Sequence, residues 1–300
     1  MDGFLVPALG AVPIRTSTAT PALLRGYAVV TTNSGHPEPT TEFGLDQQAR
    51  LDYLDGLKDG IINAWETCKF DPKSLKLAKQ KIEAIEKIFN GAKNSKGEQI
   101  YSGWFYDSGV SAEGWRQWKL GDSQSAKPNA RNITLSSGSV NYYFLTPAQP
   151  NFDTINFDFD KDTPKTFETA AVNDAISTSL STFSANGGKL IIVTGVSDPV
   201  FSAKDQRDWF KKLEADNENS QNFVAFFALP GLNHCGGGNG IDDVDPLGAL
   251  EAWHEKGEAP KSMLAKSKTY AGKEFLVCAY PKVATYVGAD ASKASSFVCK

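Results

Sequence analysis

The chain has 300 residues, 41% of them hydrophobic, which is enough for one large domain or two smaller ones with a sizeable core. Its formal net charge of −4 argues against nucleic acid as a partner, because phosphate binding requires a surplus of lysine and arginine. No apolar run approaches the roughly 20 residues that span a bilayer, and residues 1–4 lack the basic and apolar regions of a secretory signal.

Apolar patterns predict a strand near the N terminus, one helix in the middle of the chain, and alternating strands and helices in the C-terminal part. In chain order they favour a strand over 26–33, a helix over 74–89, a strand over 189–194, a helix over 202–215 with Ser202 as its N-cap, a strand over 222–229 and a helix over 246–256. Alternation of this kind is typical of a doubly wound α/β sheet.

The segment between these parts differs in composition. Residues 52–185 are polar, aromatic and irregular apart from one predicted helix, which indicates a lid inserted into the sheet domain. We therefore predict an α/β fold with a core formed by residues 1–51 and 186–300 and a lid over residues 52–185.

Two polar residues that follow consecutive predicted strands are candidates for an acid and a base. Asp198 comes just after the strand over 189–194, and His234 follows the strand over 222–229. The carboxyl ends of parallel strands are where α/β sheets place their sites. An acid and then a histidine, each after a strand, is the late order of an α/β-hydrolase triad. Taken singly, Asp198 could do no more than begin a turn, and His234 could be a structural residue. The two in this order favour a catalytic role.

A serine nucleophile is missing from the expected sequence context. The chain nowhere contains Gly-x-Ser-x-Gly, the strand-to-helix turn that presents the serine of an α/β hydrolase. Ser197 follows a strand and is the alternative nucleophile, with His234 as its base. Pro199 stands two positions later, where this turn needs a small residue. The pattern therefore favours Asp198 over Ser197 as the catalytic group.

An acidic segment precedes the helix predicted over 74–89. Residues 52–61 place three carboxylates at spacings of three and four, with glycines that permit sharp turns. Such a segment can wrap a hard cation that takes about six to eight oxygen ligands, with the backbone carbonyls of Leu57 and Ile61 as further donors. An ordinary acidic turn is the alternative at this point.

Aromatic side chains cluster in the predicted lid at 104–106 and 115–118. Packing of the lid against the core would explain most of them. The alternative is a wall for an aromatic substrate ring, which assigns Trp104, Trp115 and Trp118 to substrate binding.

The chain has four cysteines, which allow three pairings. A disulfide between Cys278 and Cys299 would close a short loop and contribute about 3 kcal/mol of stability. From spacing alone, two buried thiols are the alternative.

Taken together, these stretches resemble the tannase and feruloyl esterase family. Each motif is weak alone, but five of them occur in the order that the family shows. They are 25–36 (Arg-Gly-Tyr-Ala-Val-Val-Thr-Thr-Asn-Ser-Gly-His), 55–60 (Asp-Gly-Leu-Lys-Asp-Gly), 195–199 (Gly-Val-Ser-Asp-Pro), 233–238 (Asn-His-Cys-Gly-Gly-Gly) and 278–281 (Cys-Ala-Tyr-Pro) with Cys299.

The resemblance implies an α/β-hydrolase core with a large lid, secretion, and hydrolysis of small-molecule esters of aromatic acids such as gallate and ferulate. It assigns Asp198 and His234 to a catalytic triad, and Cys278 and Cys299 to a disulfide. It also implies a structural Ca²⁺ in the lid, held by Asp52, Asp55, Leu57, Asp59 and Ile61.

The chain departs from the family at the nucleophile. The family has a Gly-Cys-Ser-x-Gly-Gly turn between the segment ending at His36 and the acidic segment, whereas here residues 46–52 run straight into 53–56. Roughly two or three βα units of about 30 residues are missing, and the glycine-rich opening is reduced to Asp2-Gly3. We therefore expect a chain shortened internally and at its N terminus, with an incomplete hydrolase sheet.

Such a chain is expected to be inactive, because removing the nucleophile of a triad removes nearly all of its rate advantage, on the order of a millionfold. A non-catalytic, calcium-stabilised binder of phenolic esters is the alternative function.

Overall fold

A computed structural model of the chain describes residues 57, 59–75, 77–125 and 127–300, together with the backbone of residues 3–9 and 28–32. Two compact units are present, Met1–Thr41 and Glu42–Lys300. The first contains a parallel pair of strands, β1 (Gly3–Leu9) and β2 (Ala28–Thr32). Strand β2 confirms the strand that was predicted over 26–33.

The second unit is helical in its first part, then alternates strands and helices, and ends in strands. Its helices are α1 (Lys79–Asn90), α2 (Glu113–Lys119), α3 (Arg131–Thr134), α4 (Ser136–Ser139), α5 (Phe167–Asn173), α6 (Ser181–Ala185), α7 (Ala203–Asp216) and α8 (Pro246–Lys256). Its strands are β3 (Leu190–Gly195), β4 (Val224–Leu229), β5 (Asp243–Val244), β6 (Ser262–Lys266), β7 (Phe275–Cys278), β8 (Ala284–Tyr286) and β9 (Phe297–Cys299).

Strands β3 and β4 form a parallel pair whose register joins Leu190 to Val224 and Gly195 to Leu229. All six residues of β4 are buried, as is typical of a strand that is covered on both faces. Val224, Phe226 and Ala228 pack on one face with Phe210 and Leu213 of α7. Ala225, Phe227 and Leu229 pack on the other face with Trp253 of α8 and Met263 of β6. The predicted strand–helix–strand–helix order is therefore confirmed. Helix α7 covers one face of the β3–β4 pair, and α8 and β6 cover the other.

Helix boundaries follow local capping signals. The hydroxyl of Ser202 accepts hydrogen bonds from the amides of Lys204 and Asp205 at 3.1 and 3.3 Å, which confirms it as the N-cap of α7. Helix α8 begins at Pro246, after an Asp245 cap, and ends at Gly257, whose φ of 75° is left-handed. Both ends agree with the predicted helix over 246–256.

Helix α1 begins later than predicted. The carboxylate of Asp71 accepts from the Lys73 amide at 3.0 Å and caps a separate short turn, Pro72–Ser74. The helix itself starts only at Lys79, and Gly91 ends it with a φ of 76°. The apolar spacing predicted the helix correctly but placed its start at residue 74, the last residue of this capped turn, rather than at Lys79.

The C-terminal part is antiparallel. Strands β5, β6 and β7 form one sheet, and β8 pairs with β9. The disulfide Cys278–Cys299 joins the end of β7 to the end of β9, with the two Cα atoms 5.6 Å apart. Spacing alone left open whether Cys278 and Cys299 are two thiols or a disulfide, and the structure has the disulfide. Cys68 and Cys235 take no part in a disulfide.

Helices are short between α2 and β3, and several large apolar side chains there are exposed to solvent. No helix among the described residues has the length and apolar character needed to cross a bilayer. The division of the chain into a lid over 52–185 and a core remains a prediction.

Candidate active site

Asp198 lies in the turn that follows β3, where its own carboxylate organises the backbone. Its Oδ1 accepts hydrogen bonds from the amides of Val200 and Phe201 at 2.7 and 3.0 Å. Aspartate commonly forms such side chain-to-backbone turns, and Pro199 within the turn favours a bend over a helix. The turn leaves Oδ2 pointing out of the loop, so the second oxygen is available to a partner.

That partner is His234, in the loop after β4. Its Nδ1 lies 3.0 Å from Oδ2 of Asp198, and the two side chains are only 10% and 12% exposed. The loop turns sharply through Cys235, which has a φ of 58°, and three glycines with positive φ. A Cβ at Gly238 would overlap the Gly231 carbonyl, so the tight return of this loop requires glycine there.

The pKa of His234 in this pair is higher than that of a free histidine. Burial alone would lower the pKa of His234, but the hydrogen bonds and charges of Asp198 and Cys235 outweigh it and raise that pKa from 6.5 to about 9. At neutral pH the ring is therefore mainly an imidazolium paired with a carboxylate. The ring therefore binds its proton more tightly than a free imidazole does.

Two of the three tryptophans assigned to substrate binding lie at this pair. The Trp104 indole donates from Nε1 to the backbone oxygen of Asp198 at 2.9 Å. The Trp118 ring meets the His234 ring edge-on, with centroids 5.5 Å apart. Trp115 instead stacks on Phe89 at 5.6 Å and is buried. Trp115 and Trp118 are both buried, but Trp104 and Trp118 contact Asp198 and His234, whereas the ring contact of Trp115 is to Phe89.

Lys119 is a further charged group near the pair that the sequence did not single out. Its Nζ lies 3.3 Å from the centre of the Trp104 ring, a cation–π contact. Burial lowers the pKa of Lys119 to about 7, against the opposing influence of the Asp198 carboxylate. Its position at the end of α2, next to Trp118, places it beside the site, but no local pattern in the sequence indicates this.

Ser197, the alternative nucleophile, has a different setting. Its side chain is fully buried, and its hydroxyl donates to Oδ2 of Asp107 at 2.5 Å. Asp198, not Ser197, contacts the histidine. A serine that is buried and bonded to a carboxylate is not presented to a substrate, so the geometry favours the role for Asp198 that the sequence predicted.

The acidic segment is described only in part. Asp52 and Asp55 lie outside the described residues. Asp59 accepts a hydrogen bond from the Ile61 amide at 3.1 Å, and Ile61 is fully buried. Among the described residues, no group of three or more histidine, cysteine, aspartate or glutamate side chains is placed to hold a metal ion. The calcium assignment stays a prediction.

The sequence of this chain is similar to those of several known proteins. The model of the tannase and feruloyl esterase family matches residues 46–300. Mono(2-hydroxyethyl) terephthalate hydrolase of Piscinibacter sakaiensis is 34% identical over 296 residues, which cover 83% of this chain and 49% of that protein. A probable feruloyl esterase of Arthroderma benhamiae is 26% identical over 277 residues, covering 84% and 50%. The chain thus spans about half the length of these relatives.

The fold is similar to that of an esterase from Aspergillus oryzae. The two structures superpose with a TM-score of 0.71 over 84% of this chain and 54% of the other, at 18% sequence identity. At this identity the likeness concerns the fold alone. It agrees with the predicted α/β class and with the mixed helices and strands described above.

Proposed function

Because the chain belongs to the tannase and feruloyl esterase family, we propose that it carries the acid–base half of a carboxylic ester hydrolase site for esters of aromatic acids. Asp198 and His234 are the acid and the base of this site. The contact that carries the proposal is the 3.0 Å approach of Nδ1 of His234 to Oδ2 of Asp198 at the ends of two parallel strands. This is where an α/β sheet places its chemistry.

In the complete reaction of this class, a serine attacks the ester carbonyl while the histidine takes its proton and later returns it to the leaving alcohol. Asp198 would hold the ring of His234 in the orientation that leaves Nε2 for this transfer. Trp104 and Trp118 would flank the pair and favour a flat aromatic acid. The small-molecule substrate is thus an aromatic ester.

We propose further that the 300-residue chain does not hydrolyse esters by itself. It has no Gly-x-Ser-x-Gly turn, and Ser197 is buried with its hydroxyl bonded to Asp107. Each of these observations supports an incomplete hydrolase site whose nucleophile is lacking.

The test is hydrolysis of methyl ferulate, methyl gallate and mono(2-hydroxyethyl) terephthalate by the purified, folded chain. We expect no turnover above that of the His234→Ala variant. Saturable turnover that this variant loses would show that the chain holds a nucleophile, and would contradict the inactive state while supporting the role of His234. Turnover that survives the substitution would contradict the assignment of the base.

A structural Ca²⁺ in the acidic segment is a separate proposal. The described part of this segment offers the Asp59 carboxylate and the backbone oxygens of Leu57 and Ile61, which are the hard donors that Ca²⁺ prefers. When bound, the ion would supply stability rather than chemistry. Added Ca²⁺ should raise the melting temperature, Asp55→Ala should abolish that rise, and the exposed Asp174→Ala should leave it intact. A rise that Asp55→Ala retains would place the ion elsewhere.

Secretion also remains a proposal. The Cys278–Cys299 disulfide supports it, because such bonds persist in oxidising compartments. The alternative function, a calcium-stabilised binder of phenolic esters, would need the tryptophan surroundings but no nucleophile. Binding of methyl ferulate without turnover, weakened by Trp118→Ala, would favour it.

A further inference from the structure

Asp107 is a fully buried carboxylate that takes no part in the acid–base pair. Its Oδ2 accepts two hydrogen bonds, from the hydroxyl of Ser197 at 2.5 Å and from the amide of Gly231 at 2.6 Å. Burial raises the pKa of Asp107 to about 6, while these hydrogen bonds lower it. At neutral pH the group is a carboxylate, and hydrogen bonds to a charged acceptor are about twice as strong as neutral ones.

The two donors belong to the two loops that carry the acid and the base. Ser197 immediately precedes Asp198 in the loop after β3, and Gly231 lies in the loop after β4 that leads to His234. In sequence, Asp107 is separated from Ser197 by 90 positions and from Gly231 by 124. One oxygen atom of a distant segment therefore bridges the two loops.

The surrounding contacts reinforce this bridge. A Cβ at Gly109 would lie 2.6 Å from Oγ of Ser197, so only glycine permits the segment of Asp107 to approach so closely. The Asn233 amide group, oriented to satisfy its neighbours, donates to the backbone oxygens of Gly109 and Ser197 at 3.1 and 3.2 Å. The residue next to His234 thus contacts both the loop of Asp198 and the segment of Asp107.

We propose that Asp107 is a positioning residue, which holds the loops of Asp198 and His234 at the separation that lets the two side chains meet. Its carboxylate does this by accepting the Ser197 hydroxyl and the Gly231 amide together. Without that acceptor, both donors would be left buried and unpaired, at a cost that the loops would relieve by moving apart. The proposal rests on the proposed role of the Asp198–His234 pair, but its test measures the pair itself and needs no activity.

The chain has three histidines, so the Cε1 protons of His36, His234 and His254 can be assigned by single substitutions and titrated by NMR. Asp107→Asn keeps an oxygen acceptor for both donors, and we expect the pKa of His234 to stay at about 9. Asp107→Ala removes the acceptor, and we expect this pKa to fall toward the 6.5 of a free imidazole, because the bond to Asp198 loosens.

The matched control is Asp162→Ala, which removes another buried carboxylate that accepts from the Asp158 amide at 2.8 Å and from Lys165 at 2.6 Å. It should lower stability without changing the titration of His234. A folded Asp107→Ala protein whose His234 still titrates near 9 would overturn the proposal. If that variant does not fold, Ser197→Ala decides: a lower pKa of His234 supports the proposal, and an unchanged one overturns it.

The outcome is distinguishable from failure of the proposed function. If the wild-type chain hydrolyses esters through another residue but Asp107→Ala lowers the pKa of His234, the positioning role stands and the catalytic assignment fails. If His234 does not respond, the positioning role fails whatever the esterase assay gives.

Discussion

The stretch from β3 to the C terminus and the stretch from α2 to α6 solve the problem of burying apolar side chains differently. In the first, Phe226 and Phe227 are fully buried between helices on both faces of a parallel strand pair. In the second, helices are short, and several large apolar side chains are more than half exposed: Tyr142, Tyr143, Ile155, Phe167, Val172 and Ile176. Asp198 and His234 both follow strands of the well-packed stretch, so packing fixes the strand ends from which their loops start.

The largest expected difference between the stretches concerns their aromatic side chains. Phe226→Ala, in the core, should lower the free energy of unfolding by about 3–5 kcal/mol, because it removes a buried ring and leaves a cavity. Phe167→Ala removes the same atoms from an exposed site on α5 and should change it by about 0.5 kcal/mol or less. Urea unfolding of both variants checks this. Equal losses would mean that the ring of Phe167 is packed as tightly as that of Phe226.

The disulfide should give the next largest effect. Reduction of Cys278–Cys299, whose sequence separation is 21, should lower the free energy of unfolding by about 3 kcal/mol, since the open loop gains entropy in the unfolded chain. The control is the double variant Cys278→Ser/Cys299→Ser, whose stability should not respond to reductant. Unfolding in the presence and absence of reductant measures the difference. A reduced protein as stable as the oxidised one would show that β7 and β9 are held by packing alone.

The acid–base pair should add a smaller, pH-dependent contribution. The folded-state pKa of His234 is raised from 6.5 to about 9, so the stability that the pair confers is complete below pH 6.5 and is lost as pH rises through about 9. The difference between the two pKa values corresponds to about 3 kcal/mol, and solvent screening of a pair that is not fully buried lowers the expected loss to about 2 kcal/mol. This loss is measured as the difference in the free energy of unfolding between wild type and His234→Gln across this pH range. Parallel curves would show that the bond to Asp198 does not hold in solution.

Much of the packed stretch could be predicted from local signals. The apolar run over 222–229 indicated a buried strand, and the cap at Ser202 and the Pro246 start of α8 fixed two helices correctly. Asp198 and His234 could be predicted as a pair because the carboxyl ends of parallel strands meet at one edge of a sheet. These inferences work because each signal acts within a few residues of the structure that it determines.

Asp107 and Lys119 could not be predicted in this way. Asp107 acts on residues 90 and 124 positions away, and its own neighbours, an aromatic run, indicate packing rather than a polar contact. Lys119 owes its lowered pKa to burial and its position to a ring 15 positions earlier, Trp104. The start of α1 was wrong because Asp71 caps a separate turn. Each of these errors arose because a distant contact or a local cap, rather than the apolar spacing, determines the structure at that position.

The most direct test of the central claim, an acid–base pair without its nucleophile, is labelling of the purified chain with a fluorophosphonate, read by mass spectrometry. We predict that the folded protein, with His234 titrating near 9, takes no stoichiometric label on any serine. A stoichiometric adduct on one serine, lost in His234→Ala, would show that the chain holds a nucleophile and would identify it.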